Sequence, residues 1–212
     1  FKSKDYLSKE NKILKEQLDQ SYLNNFVISR EKNFFYDHSS LNKIINGNKF
    51  IESYSLAKLK SFNPNIFNCC DKHRMYIEII QNTNKDIKEG AVFNETGIIG
   101  QVVNNTSFYE VMLLTDTKSS IPLTNSKGDF YCNASGSGAS DYITCSYSQL
   151  VWLDNHELGE KFFSSGLGGI YPKGIEIGNL ESIKIVDTST TLLTIKLISN
   201  PLHSNLFGVI KL

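Results

Sequence analysis

Residues 164–178 read Ser-Ser-Gly-Leu-Gly-Gly-Ile-Tyr-Pro-Lys-Gly-Ile-Glu-Ile-Gly, with five glycines and one proline in fifteen positions. Glycine accepts positive φ and close backbone approach, and it is unfavourable inside a helix. The stretch therefore predicts a turn system, in which Pro172-Lys173-Gly174 forms a turn and a short strand follows. A phosphate-binding loop is the alternative interpretation. The stretch lacks Gly-Lys-Ser/Thr, however, and no helical apolar period comes after it.

Short apolar segments with strand spacing surround this turn system. Met75, Ile77 and Ile79 alternate with their neighbours, and similar segments recur at intervals of roughly 8–12 residues between Gly, Asn and Asp. No helical pattern longer than two turns interrupts them. The body of the chain is therefore predicted to be a β-sandwich or barrel. The further segments are 90–93, 97–103, 111–115, 120–123, 142–145, 183–186, 191–198 and 206–212.

Residues 2–35 instead predict a helix, because Lys, Glu, Gln, Leu and Asp dominate there and Gly and Pro are absent. Apolar residues recur every seven positions in its first part, with a polar residue on the companion row, as in a short coiled-coil seam. A solvated amphipathic linker is the alternative. The predicted helix-pairing residues are Leu7, Asn11, Leu14 and Leu18.

Composition and charge exclude some partners. The chain has 212 residues, of which 40% are hydrophobic and 11% aromatic, which is ample for a core. Its 22 basic and 22 acidic residues cancel, so neither a nucleic-acid footprint nor a strong attraction to membrane surfaces is expected. No apolar run reaches eighteen residues, and we expect the chain to be a piece trimmed of upstream sequence.

The four cysteines do not follow a metal-ligand pattern. Cys69 and Cys70 are adjacent, and no Cys-x-x-Cys or nearby His pair occurs. Cys132 and Cys145 flank a loop. They form a disulfide in an oxidising compartment, or they are small buried hydrophobes or free thiols, and the sequence leaves both alternatives open.

No arrangement of residues predicts catalysis. Asp154, His156, Ser164 and Ser165 are near one another in sequence, but triads are defined by spatial geometry and the Gly-x-Ser-x-Gly elbow is missing. The other histidines lack metal-ligand spacing. We therefore expect no enzyme activity, no cofactor and no metal site, and we interpret His156 as a surface residue beside a turn.

Aromatic residues are the best candidates for contacts with another protein. Where two rings are adjacent, as in Phe108-Tyr109 and Phe130-Tyr131, strand alternation sends them to opposite faces, so one of each pair is expected at the surface. Exposed rings often mark a contact surface, whereas buried rings are simply core. The candidate partner-binding aromatics are Phe108, Tyr109, Phe130, Tyr131, Tyr147 and Trp152.

Three stretches resemble the MreC family of bacterial cell-shape proteins. Residues 164–178 are similar to the family's segment Thr/Ser-Ser-Gly-Leu-Gly-Gly-aromatic-Pro-x-Gly-Ile-x-Ile/Val-Gly, and we call them the signature turn. Residues 84–102 resemble its Gly-capped turn and strand, and residues 191–212 its closing hairpin. The resemblance covers residues 75–212, and 50–71 match poorly. The signature positions are Gly166, Gly168, Gly169, Pro172, Gly174 and Gly178.

The resemblance implies a mainly β fold with an N-terminal α-helix of coiled-coil type and two small antiparallel β-barrels packed side by side. We accordingly expect a helical segment over residues 1–46 and a β-body over 47–212. The second barrel is expected at roughly 100–185.

The resemblance further implies a non-catalytic scaffold of the cell-wall elongation machinery. Its partners would be the elongation-specific penicillin-binding transpeptidase, MreD and, indirectly, MreB, with a homodimer formed through helix and β-surfaces. The protein would face the periplasm, anchored by an N-terminal membrane span absent from this chain. The alternatives are a secreted two-barrel serine hydrolase and an adhesin-like binding module.

Overall fold

The computed structural model describes residues 6, 9–10, 12–13, 15, 39–47, 51, 53–63, 71–81, 87–105, 108–148 and 156–210. Residues 39–210 of this set contain one α-helix, twelve strands and a 3-10 turn, Pro201–His203. The elements are α1 (Ser39–Asn46), β1 (Ser55–Phe62), β2 (Arg74–Gln81), β3 (Gly90–Phe93), β4 (Ile98–Asn105), β5 (Tyr109–Leu113), β6 (Ser120–Asn125), β7 (Tyr131–Gly136), β8 (Tyr142–Ser148), β9 (Lys161–Ser164), β10 (Glu176–Ile185), β11 (Thr190–Leu197) and β12 (Leu206–Ile210).

Residues 1–36 and 37–212 form two compact units. Every described position of the first unit is helical. The predicted pairing residues Leu7, Asn11, Leu14 and Leu18 lie outside the described residues, so coiled-coil pairing stays a prediction. The expected boundary after residue 46 differs from this division, because the side chain of Leu41 in α1 is buried in the core of the second unit.

The first barrel closes in the order β1-β12-β3-β4-β5-β2, with all neighbours antiparallel. Alternate apolar residues such as Met75, Ile77 and Val111 fill its interior, and Met75 is opposite Val111. β3 is buried on both faces because core residues outside the barrel cover it. The ring of Tyr54, for example, meets that of Phe93 edge-on at 5.6 Å between centroids.

The second barrel closes in the order β10-β11-β8-β7-β6-β9 and is inserted into the first. The chain leaves the first barrel after β5, builds β6–β11, and returns to complete the first barrel with β12. The second barrel thus spans residues 120–197, in place of the expected range of roughly 100–185. The range differs because β4 and β5 pair with β3 and β2, and β11 pairs with β8 and β10.

The expected fold class, mainly β with two small antiparallel barrels, is confirmed by this architecture. Two covalent crossings connect the barrels, at residues 114–119 and 198–205. A common core cluster includes Phe93 and Ile98 of the first barrel, Leu114 of the first crossing, and Ile121 and Phe162 of the second barrel. The barrels therefore share buried apolar surface.

Candidate functional site

The signature turn joins β9 to β10 and is organised by Ser164. The Ser164 hydroxyl donates to the Pro172 carbonyl and accepts from the Ile175 amide at 3.0 Å, while the Gly174 amide donates to the Ser164 carbonyl at 2.8 Å. One serine thus closes both ends of the loop. The predicted turn at Pro172-Lys173-Gly174 is confirmed, and β10 starts at Glu176.

The signature glycines meet two different requirements. Gly166, Gly168, Gly169 and Gly174 adopt φ between +69° and +83°, in the left-handed region that side chains disfavour. Gly178 lies in β10, where a Cβ would be 2.2 Å from the Lys196 carbonyl oxygen. The first four glycines serve backbone conformation and the last one serves close strand packing.

Tyr171 connects the signature turn to the other barrel. Its side chain is 2% exposed, and its hydroxyl donates to Gln101 Oε1 of β4 at 2.9 Å. Burial raises the pKa of Tyr171 well above its usual value, so the hydroxyl stays protonated and remains a donor. The signature turn therefore contributes to the junction between the barrels.

Further hydrogen bonds cross the same junction. The Ser199 hydroxyl donates to the Ile98 carbonyl, and Asn94 Nδ2 donates to the Asn200 carbonyl at 3.0 Å. Ser199 and Asn200 are on the returning crossing, whereas Asn94 and Ile98 flank the β3–β4 turn. These bonds hold the end of one barrel against the chain that leaves the other.

A buried ion pair anchors the first crossing. The Asp116 carboxylate, 0% exposed, accepts hydrogen bonds from Arg74 Nε at 2.8 Å and from the backbone amides of His73 and Lys118 at 2.9 Å. His73 Nδ1 is 2.7 Å from Thr115 Oγ1. Burial lowers the pKa of His73, and the nearby Asp116 charge opposes this in part. This cluster fixes the start of β2 to the crossing.

Of the six candidate partner-binding aromatics, three are buried or half-buried and one lies outside the described residues. Phe130 and Tyr147 are buried, packed edge-on at 5.1 Å between ring centroids, so their assignment to a surface is wrong. They point into the second barrel, whose core needs large side chains. Tyr109 is half-buried and Trp152 lies outside the described residues. Phe108 and Tyr131 are exposed by 43% and 40%.

Phe108 belongs to a mixed surface on β1 and β2, which sequence reasoning did not assemble. Lys60 Nζ is 5.3 Å from the Phe108 ring centroid and 2.9 Å from Glu78 Oε2. Lys58 Nζ also approaches Glu78 Oε2, at 3.3 Å. Ile80 follows Glu78 by two positions in β2 and is 38% exposed. We call these five residues, Lys58, Lys60, Glu78, Ile80 and Phe108, the Phe108 face.

The charges of the Phe108 face are only partly compensated, because two lysines pair with one glutamate. Hydrogen bonds from Lys60 and Lys58 lower the pKa of Glu78, so this carboxylate is ionised at neutral pH. The face therefore combines apolar side chains with a small ion-pair network. The spacing of Lys58, Lys60 and Glu78 was visible in the sequence, but the pairing of β1 with β2 was not.

The residues considered as a hydrolytic triad make other contacts in the structure. His156 Nδ1 is 2.7 Å from Glu160 Oε2, and its ring packs against Phe130 at 4.5 Å between centroids. Its side chain is 6% exposed, so the interpretation as a surface histidine is wrong. Ser165 Oγ accepts from the Leu167 amide at 3.3 Å. Asp154 lies outside the described residues.

Cys132 and Cys145 form a disulfide between β7 and β8, with Cα atoms 6.2 Å apart. This resolves the two alternatives left by the sequence in favour of bridging. The ladder between β7 and β8 covers 134–136 and 143–145, so the bridge lies at one end of it. Cys69 and Cys70 lie outside the described residues.

Two kinds of feature are absent from the described residues. No group of three or more His, Cys, Asp or Glu side chains there is placed to hold a metal ion. None of the helices in those residues combines the length and apolar character needed to cross a lipid bilayer.

The body consists of two six-stranded barrels, one inserted into the other, and it is similar to a solved structure of MreC. That similarity has a TM-score of 0.66 at 21% identity over 82% of this chain and 96% of the other. The family model described as rod shape-determining protein MreC, barrel core, matches residues 66–211. The chain belongs to the MreC family.

The chain is also similar in sequence to a second protein and in structure to a third. It is 28% identical over 183 residues to the cell shape-determining protein MreC of Haemophilus influenzae, covering 82% of this chain and 47% of that protein. The chain thus spans about half the length of that curated relative. A solved complex between penicillin-binding protein PBP2 and MreC from Helicobacter pylori has a TM-score of 0.55 at 17% identity, over 74% of this chain and 97% of the other.

Proposed function

We propose that this chain is a non-catalytic scaffold of the bacterial cell-wall elongation machinery that binds and organises the elongation-specific transpeptidase. Membership of a cell-shape family supports this role. A structurally similar MreC has been solved in complex with PBP2, which makes a transpeptidase the first partner to test. The family assignment and the fold support the class of function. The exposed surface indicates which residues to test for partner binding.

The observation that carries the proposed contact is the Phe108 face. It presents an exposed ring and an exposed isoleucine beside two lysines and a glutamate. Aromatic and aliphatic anchors surrounded by polar residues are typical of protein interfaces, and a few such anchors dominate the binding free energy. We place the transpeptidase's non-catalytic, membrane-proximal region on this face.

The test is the affinity of the chain for the transpeptidase ectodomain of the same bacterium, measured by sedimentation or calorimetry. We expect Phe108→Ala to weaken binding about tenfold, or about 1.4 kcal/mol. Tyr131→Ala is the matched control, because Tyr131 has similar exposure but is on the second barrel. Loss of binding with Tyr131→Ala alone would move the interface to the second barrel. No binding by the wild-type chain would remove the transpeptidase proposal.

The proposal that the chain is not an enzyme is supported by how its serines and histidine are used. Ser164 and Ser165 are both buried, and each hydroxyl bonds to backbone groups of the signature turn. The described partner of His156 Nδ1 is Glu160 and not a serine. Their side chains therefore serve the local fold.

The remaining partners and the location are proposals of the same kind. We propose that the body faces the periplasm, where disulfides persist, and the Cys132–Cys145 bridge agrees with an oxidising compartment. Self-association through Leu7, Asn11, Leu14 and Leu18, contact with MreD, an indirect link to MreB, and anchoring by an upstream membrane span follow from the family resemblance. Sedimentation of the chain alone tests the homodimer, since a monomer at all concentrations contradicts it.

A further inference from the structure

A pocket of about 100 Å³ lies at the junction of the barrels, where the crossings pass. Its lining combines residues of both barrels and of both crossings, so neither barrel alone would form it. We call it the junction pocket. The residues that matter here are Ile99, Leu113, Leu114, Asp141, Leu197 and Leu202.

The size of the junction pocket limits what it can hold. Ligand sites for cofactors and drug-sized molecules are about 300–1,000 Å³, and one water occupies about 30 Å³ of liquid. A volume of about 100 Å³ is therefore too small for a cofactor. It suits a single aliphatic side chain, which would displace water from the leucine and isoleucine lining.

The charge of the junction pocket indicates which type of residue should be adjacent to the aliphatic side chain of a bound polypeptide. Asp141 is the ionisable residue of the lining. Its Oδ1 accepts one hydrogen bond, from Asn200 Nδ2 at 3.2 Å, and none of the ion pairs found among the described residues involves it. A carboxylate offers about four acceptor positions, so Asp141 can accept further hydrogen bonds. A guanidinium or ammonium group is the complementary partner.

We propose that the junction pocket receives one aliphatic side chain of a partner polypeptide whose adjacent residue is Arg or Lys, with the basic group on Asp141. This deepens the proposed scaffold function and rests on it for its biological meaning, but it concerns a site separate from the Phe108 face. Because the pocket needs both barrels, such a partner would recognise only the assembled two-barrel body.

The proposal is tested with three short probes on the full chain: acetyl-Leu-Arg-amide, acetyl-Leu-Glu-amide and acetyl-Gly-Arg-amide. Carbon-13 methyl spectra report on Leu114, Leu197 and Leu202. We expect saturable methyl shifts with the Leu-Arg probe, at least about twofold weaker binding of the Leu-Glu probe, and little response to the Gly-Arg probe.

Asp141→Asn is the matched variant. Asparagine keeps a side-chain oxygen for Asn200 and tolerates the φ of +67° at this position. We expect it to weaken Leu-Arg binding about two- to fivefold and to abolish the preference over Leu-Glu. The control is Asp187→Asn, which alters an exposed turn carboxylate at the opposite end of β11 from Leu197.

Several results would overturn the proposal. Equal affinity for the Leu-Arg and Leu-Glu probes would show an apolar cavity without charge selection. Methyl shifts that grow with protein concentration before any probe is added would show a second copy on the pocket. An equal loss with Asp187→Asn would show a non-specific charge effect. Should Asp141→Asn fail to fold, the comparison of probes on the wild-type chain still decides. All these outcomes are independent of transpeptidase binding.

Discussion

Asp116 illustrates how much one residue does at the first crossing. Asp116 directly follows residues 111–115, and an acid at the end of a strand segment commonly turns the chain. It does accept from the Lys118 amide two residues later, as turn-forming acids do. It also pairs with Arg74 and the His73 amide, 42 and 43 residues earlier in the chain. Because the carboxylate is fully buried, removing it would leave the Arg74 charge without its closest partner.

The pH dependence of stability is predicted from His73. Burial lowers its pKa in the folded protein below the value of about 6.5 typical of an unfolded chain. Below that value the unfolded state binds more protons, so stability falls as pH decreases, by at most about 1.4 kcal/mol per pH unit for one group. We expect the free energy of unfolding, measured with urea between pH 7.5 and 5.5, to fall less steeply with decreasing pH in His73→Gln than in the wild-type protein.

The control for this measurement is His203→Gln, at an exposed histidine. The free energy of unfolding of this variant should depend on pH in the same way as that of the wild-type protein. An identical slope for wild type and His73→Gln would contradict the assignment of the acid sensitivity to His73.

At the scale of elements, the signature turn determines how β9 and β10 meet. Ser164 ties the loop together, and glycines allow its left-handed backbone. The five glycines are not equivalent, however. A Cβ at Gly168 has no heavy atom within 4 Å, whereas a Cβ at Gly178 collides with a backbone oxygen of β11. The turn thus requires glycine for conformation, and the strand requires it for space.

Gly178→Ala should therefore destabilise the protein more than Gly168→Ala. The backbone of β11 must move to admit the new methyl group, at a cost of about 1–3 kcal/mol. Gly168→Ala costs about 1–2 kcal/mol for the left-handed conformation, offset by about 0.4–1 kcal/mol from the lower entropy of the unfolded chain. Chemical denaturation of both variants gives the comparison. The reverse order would show that β11 relaxes freely around position 178.

At the scale of the whole molecule, the second barrel is an insertion in the chain between β5 and β12 of the first barrel. β12 is separated from its partners β1 and β3 by all of β6–β11. The junction is strengthened by the Tyr171–Gln101 bond and by contacts of the crossings. The two barrels are therefore expected to stabilise each other.

A double-mutant cycle tests this coupling. Tyr171→Phe leaves Gln101 Oε1 without its donor from the other barrel, and with Gln101→Ala it should give a coupling free energy of about 0.5–1.5 kcal/mol. Tyr131→Phe, at a ring that is 40% exposed, should change the free energy of unfolding by less than about 0.5 kcal/mol. Additive effects of Tyr171→Phe and Gln101→Ala would mean that this bond does not couple the barrels.

The candidate site was only partly predictable. Alternation correctly put one residue of the Phe130-Tyr131 pair at the surface, because strand geometry reverses direction at every residue. Alternation did not predict that Tyr131 would be the exposed residue of the pair. It also did not predict that the Tyr147 ring would be buried. The Phe108 face depends on the register of β1 with β2, and the junction pocket depends on segments up to about a hundred residues apart in the chain.

Local sequence determined the β-rich character of residues 55–210, the turn at Pro172-Lys173-Gly174, and the family. Periodicity, glycine conformation and motif are properties of neighbouring residues, so they can be read along the chain. Tertiary structure alone decided the order of the strands, the insertion of one barrel into the other, and the meeting of Tyr171 with Gln101. Strand pairing between distant segments depends on which faces can be buried together, and that energy belongs to the assembled body.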